Sequence, residues 1–154
     1  MAETIVLKGA PVETAIAIAS DDTVVLTVAG SQGASGGDGS TDIQKTAGEA
    51  LGGHRAVVLN SSGQAIYADC STPAHAHKVL GITTGAASSG AVVTIRTRGE
   101  ITEGGWAWTL DLPIFLSTTG LLTQTPPTIG FVARIGFPMS ATTIFIDIHQ
   151  TIVR

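Results

Sequence analysis

Short runs of apolar and β-branched residues, divided by turn residues, recur along most of the chain. In the first part, "TIVLKG", "TAIAIAS" and "DTVVLTVAG" are short β-branched runs divided by turn residues, and the second and third alternate apolar with polar or small positions. From residue 45 onward come "HRAVVLN", the turn "SSGQ", "AIYADC", "KVLGITT", "AVVTIRTRGEI", "PIFLS", the turn "TTG", "LLTQT", "GFVARIGF" and "TTIFIDIHQTIV". Turn signals fall roughly every ten residues, the rhythm of an all-β sandwich or barrel. Helix signals are nearly absent: "TAGEALGG" supports one turn before its glycines end it, and "PAHAHKVL" is ambiguous. The pattern predicts an all-β fold, sandwich or barrel-like, with an N-terminal β-arm.

The stretch "GSQGASGGDGS", residues 30–40, interrupts this pattern. A phosphate-binding loop needs a Lys and a Ser or Thr at fixed offsets after its last glycine, and a dinucleotide loop needs G-x-G-x-x-G between a strand and a helix. Gly30, Gly33, Gly36, Gly37 and Gly39 meet neither spacing, and the next lysine is Lys45. Gly/Ser composition has no stiffness of its own, so the stretch reads as a linker. The chain is expected to divide into a β-arm (residues 1–29), a Gly/Ser-rich linker (30–44) and an exposed β-domain (45–154).

Composition turns this outline toward assembly. Charged residues make up 13% of the chain, about half of what soluble domains usually carry, and the mean hydropathy is +0.36. No run approaches the ~20 apolar residues of a membrane-spanning helix, and Glu3, Lys8, Pro11 and Glu13 interrupt any signal-peptide pattern. Contact with neighbouring copies is the remaining use for the apolar surplus. Residues 1–44 carry one basic side chain, Lys8, against six acidic ones, a net of −5, while the remainder is close to neutral. Nucleic acid is excluded as a partner because clustered Lys and Arg are lacking. The pair Arg96 and Arg98 suits a solvated strand face or an intersubunit salt bridge. Cys70, the single cysteine, allows no internal disulfide and reads as a small half-buried hydrophobe.

No catalytic constellation emerges. There is no G-x-S-x-G elbow, and Glu100 and Glu103 fall on opposite faces of a regular strand, which argues against a paired acid and base. His75 and His77 in "HAH" share a face if extended, but a metal site needs three or four ligands, and His54 and His149 cannot be placed beside them. They read as surface or interface histidines, with no metal and no cofactor. Trp106 and Trp108 in "GWAWT" point the same way on a strand. They read as core or oligomer-interface residues, with a sugar-stacking platform as the sharper alternative. The two prolines of "TQTPPT" require an edge or a loop.

Three segments carry a family resemblance: "TAGEALGGHR" through "PAHAHKVLGITT" to "VVTIRTRGEI", then "WAWTLDLPIFLSTTGLLTQTPPTIGFVARIG", then "TTIFIDIHQTIV". In this order they resemble the C-terminal β-domain of tailed-bacteriophage surface proteins such as head fibres, capsid decoration (cement) proteins and tail-fibre segments, over about residues 46–154. The resemblance implies a homotrimeric knob on the outer capsid surface, without catalytic residues, in contact with the major capsid protein or another cement protein. Its role would be to stabilise the shell or to aid host adhesion. A tail-fibre or tail-needle tip that binds a receptor or glycan is the alternative, which solvent-exposed Trp106 and Trp108 would favour. Neither coiled-coil heptads nor collagen-like repeats occur in the N-terminal part, so a long shaft is not expected.

Overall fold

The computed structural model describes residues 39–148, together with three strands at Thr4–Gly9, Val12–Ala17 and Ile152–Val153. The strand expected in "DTVVLTVAG", the glycines at 30, 33, 36 and 37, and His149 lie outside the described residues. By internal contacts the chain divides into two compact units, residues 1–35 and 36–154, and the division falls inside the Gly/Ser stretch.

In the first unit, β1 (Thr4–Gly9) and β2 (Val12–Ala17) form an antiparallel hairpin in which Lys8 pairs with Glu13 and Gly9 with Val12. A two-stranded hairpin is at best marginally stable by itself in water.

The second unit is nearly all β. Its strands are β3 (Thr41–Thr46), β4 (Ala56–Leu59), β5 (Ala65–Tyr67), β6 (Gly81–Thr83), β7 (Val92–Thr102), β8 (Ile114–Leu116), β9 (Leu122–Thr123), β10 (Phe131–Val132), β11 (Arg134–Pro138), β12 (Thr143–Ile146) and β13 (Ile152–Val153). Nine of them make one antiparallel sheet in the order β5-β4-β6-β7-β12-β11-β8-β9, with β3 added beside β7, and this sheet curls into a half-barrel. A separate short pair joins β10 to β13.

Burial follows the sequence pattern closely. In β12, Ile144 and Ile146 turn inward and Phe145 outward, as period-two alternation requires. "AVVL" of β4 is a continuous apolar run and is buried on both faces: Ala56 and Val58 enter the main core with Ile82, Ile114, Leu116, Phe131, Ile135, Ile144 and Ile146, whereas Val57 enters a second core with Ala47, Leu51, Ala65, Val93 and Ile95. The β4–β5 connection is the expected turn. Gly63 supplies φ +74, and Asn60 Oδ1 accepts the N–H groups of Ser62 and Gln64, both at 2.9 Å.

The long strand β7 serves two sets of partners. Residues Val92 to Arg98 pair with β3, with a register slip at Thr41/Asp42, and residues Gly99 to Thr102 pair with β12. Gly99 stands at the handover with φ +103, and a Cβ there would lie 2.4 Å from Ser40 Cα. Only glycine meets both demands.

Three expectations change. Residues 41–44, read as the end of the linker, begin β3: Ile43 packs on the second core, and Asp42 binds Arg96, so this segment has both an apolar and a polar reason to be ordered. "GWAWT" is a loop beyond β7, since Gly104 and Gly105 end the strand before the tryptophans. "GFVARIGF" is divided at Ala133, with β10 pairing β13 while β11 pairs β8 and β12. "PAHAHKVL" makes a single 3-10 turn, Pro73–His75.

Candidate functional site

The segment between β3 and β4 is pinned by Ala47 and Leu51 in the second core and, beyond them, by polar bonds. Glu49 Oε1 accepts the Tyr67 N–H at 2.7 Å, and Tyr67 Oη accepts the Gly52 N–H at 2.6 Å. Thr83 is fully buried; its hydroxyl accepts from the Arg55 N–H at 3.0 Å and donates to the Gly52 carbonyl at 2.7 Å. These bonds bracket His54, which sits in the left-handed region at φ 58 with its N–H bonded to the Thr83 carbonyl.

His54 is thereby aimed at the end of β7. Its Nδ1 lies 2.7 Å from Glu103 Oε2, and its ring meets Trp106 edge-on with centroids 5.5 Å apart. Glu103 also accepts the Gly105 N–H through Oε1, and its carbonyl takes the Trp106 N–H. Trp106 contacts Trp108 at 5.5 Å with the planes tilted by 55°, and both are half-buried against the main core. The Trp108 N–H bonds to the Ala141 carbonyl, and its indole Nε1 is shielded without a partner among the described residues.

The structure thus brings His54 and Glu103 to the two tryptophans, a grouping that nothing in their spacing announces. A stacking platform for sugars needs an open, flat aromatic face. Here the rings are tilted, half-buried and in contact with one another and with His54, so the cluster fastens the loop before β4 to the loop after β7.

The histidines of "HAH" follow the 3-10 turn into different local settings. His75 Nδ1 accepts the Asp69 N–H at 3.1 Å, and His77 has φ 62. No cluster of three or more His, Cys, Asp or Glu side chains suited to a metal occurs among the described residues. Asp69 is a hub: Oδ1 accepts the N–H and hydroxyl of Ser71, and Oδ2 accepts the Thr119 N–H. Burial works to raise its pKa, but the bonds from Ser71 and Thr119, with His75 nearby, outweigh it and hold the carboxyl below its ordinary value. Cys70 is buried outright, and that burial, followed by the Asp69 charge, pushes its thiol up. Arg96 binds Asp42 within the chain in a two-pronged pair at 2.8 and 3.0 Å and also bonds the Glu100 carbonyl.

The open surface lies elsewhere. Phe137 of β11 and Phe145 of β12 stack on the outer side of the half-barrel, centroids 5.5 Å apart, and a groove of about 410 Å³ beside them is lined by Asp111, Leu112, Pro113, Arg134, Phe137 and Pro138. Leu110 (52%), Leu112 (46%), Met139 (48%) and Phe137 (39%) are exposed in or next to it. Gln124 braces the rim: its Oε1 accepts the Thr109 N–H, and its Nε2 donates to the carbonyls of Thr109 and Leu112. The "TQTPPT" loop therefore positions the apolar rim. Asp111 and Arg134 line the same groove without forming an ion pair with each other.

No helix among the described residues is long and apolar enough to cross a membrane. No protein-family model matches the chain, and no curated protein matches it significantly.

Proposed function

We propose that this chain is a structural bacteriophage virion protein, a capsid decoration or head-fibre-like knob that attaches to the outer capsid and assembles as a homotrimer. The observation that carries this reading is the exposed apolar face around Phe137 on a charge-poor half-barrel. A contiguous apolar patch on a small domain marks a surface that another protein covers. The resemblance to phage surface proteins supplies the setting. The unit of residues 1–35, with its net acidic charge and its marginal hairpin, is the anchor: its strands gain stability by adding to an edge on the shell. The protein acts by contact, without catalysis, and its partners are its own copies and the major capsid or another cement protein. The tail-tip alternative loses support from the half-buried, mutually packed tryptophans.

The test is location. Antibodies against the chain should label the outer capsid of intact particles of the phage that encodes it, and mass spectrometry should find the chain in purified virions. Absence from the particles would overturn the reading, and label confined to the tail would replace it with the alternative.

A further inference from the structure

We infer that the outer face of β11 and β12 is where copies of this chain join, with Asp111 of one copy pairing with the partner's Arg134 across the Phe137 groove. The inference rests on the homo-oligomer proposed above and adds the surface that makes it.

Three features of the face select a second copy as its occupant. The first is apolar exposure at the groove: Leu112 and Phe137 stand exposed in its lining, and Leu110 and Met139 are exposed next to lining residues along the chain, while every isoleucine of β11 and β12 is buried. Aromatic, Met and Arg side chains are those that interface centres favour. The second is charge. The groove presents one anion and one cation, Asp111 and Arg134, and neither has an ionic partner among the described residues. A foreign acidic or basic partner would satisfy one and strand the other, whereas copies of this chain in a closed ring offer the complement of both: one neighbour's Arg134 meets Asp111, and the other neighbour's Asp111 meets Arg134. The third is preparation. Asp111 is held at φ 70, and Gln124 ties both sides of it through Thr109 and Leu112, so the rim is already in place before contact and little freedom is lost on binding. About a threefold axis, the two rims of each groove face two different neighbours and three Asp111–Arg134 pairs close the ring.

The full-length protein is tested by light scattering at micromolar concentration, with circular dichroism to verify folding. Wild type should show about three chain masses. Arg134→Asp and Asp111→Arg should each weaken association about tenfold or more, and the double reversal Asp111→Arg/Arg134→Asp should restore it, since the pair is reconstituted with its signs exchanged. Phe137→Ser, at an exposed position, should also give folded monomers. Folded variants that associate as wild type does would overturn this face and leave self-association standing. Loss of association that the double reversal does not rescue would overturn the ion pair, and a monomeric wild type would overturn the inference as a whole. None of these outcomes decides whether the protein resides on virions, which the labelling experiment tests separately.

Discussion

His54 and Glu103 meet with 2.7 Å between Nδ1 and Oε2, and this contact fastens the loop before β4 to the end of β7. Nδ1 is placed to donate a hydrogen bond to the carboxylate. Both side chains are partly exposed, at 24% and 39%, so the pair belongs to the class of surface ion pairs worth about 0–1 kcal/mol. Glu103→Gln should therefore lower stability by less than about 1 kcal/mol in urea denaturation, and by less still in high salt.

The backbone at His54 adds a sharper expectation. Its φ of 58 is strained for a residue with a Cβ, by about 1 kcal/mol or more. His54→Ala keeps the strain and loses the Glu103 and Trp106 contacts, whereas His54→Gly loses the same contacts but relieves the strain. The glycine variant should be the more stable of the two, and the reverse order in thermal melts would mean that the left-handed backbone at this position does not decide the difference.

Thr83 is legible as a β-branched strand residue, but its buried hydroxyl is what organises the loop that carries His54. Thr83→Val preserves shape and removes the partner of the Arg55 N–H and the Gly52 carbonyl. Each orphaned buried group costs about 1–3 kcal/mol, so a loss of roughly 2 kcal/mol or more is expected, with Thr83→Ser keeping most of the stability.

The fold was visible in the sequence wherever one physical demand ruled a segment. The β-branched runs "AVVTIRTRGEI" and "TTIFIDIHQTIV" contained β7 and β12, "HRAVVLN" contained β4, and the turn "SSGQ" fell between β4 and β5. It was hidden where two demands competed. Asp42 and Ile43 belong to β3 through contacts with Arg96 and the second core, which local glycine and serine content cannot report. Gly99 resembles a strand blemish until β3 and β12 are seen to share β7. The site residues were partly visible: Trp106 and Trp108 stood out by type, but His54 and Glu103 reach them only through tertiary folding, and Phe145 faces outward in a strand whose pattern does not say which face is the core.

Asp69 gives the pH dependence its sign. Its folded pKa lies below the ordinary value of 3.8, so the unfolded chain takes up the proton first as pH falls. Its contribution is fully present above that value and is lost as pH drops through the folded pKa. Denaturation at pH 7 and at pH 3 should show a difference between wild type and Asp69→Ala that shrinks at the lower pH. A gap that widens on acidification would show that the bonds from Ser71 and Thr119 do not favour the carboxylate.

Gln124 tests whether the groove rim is preorganised. Its amide bonds Thr109 twice and Leu112 once, across the loop that carries Leu110 and Asp111, while it is absent from the groove lining itself. Gln124→Ala removes those bonds at an exposed site, where the released backbone groups can turn to water, so the loss of fold stability should be small, about 1 kcal/mol or less. Association should suffer more than folding does, because each copy must then order the rim at the moment of contact, a step that costs about 0.5–1.5 kcal/mol per immobilised side chain. Sedimentation over a dilution series should therefore show the oligomer of Gln124→Ala dissociating at a concentration several-fold to roughly tenfold higher than wild type, with melting of the dissociated chain nearly unchanged. Equal loss in both measurements would make Gln124 a general prop of the half-barrel, and unchanged association would mean that the loop 109–112 makes no contact between copies.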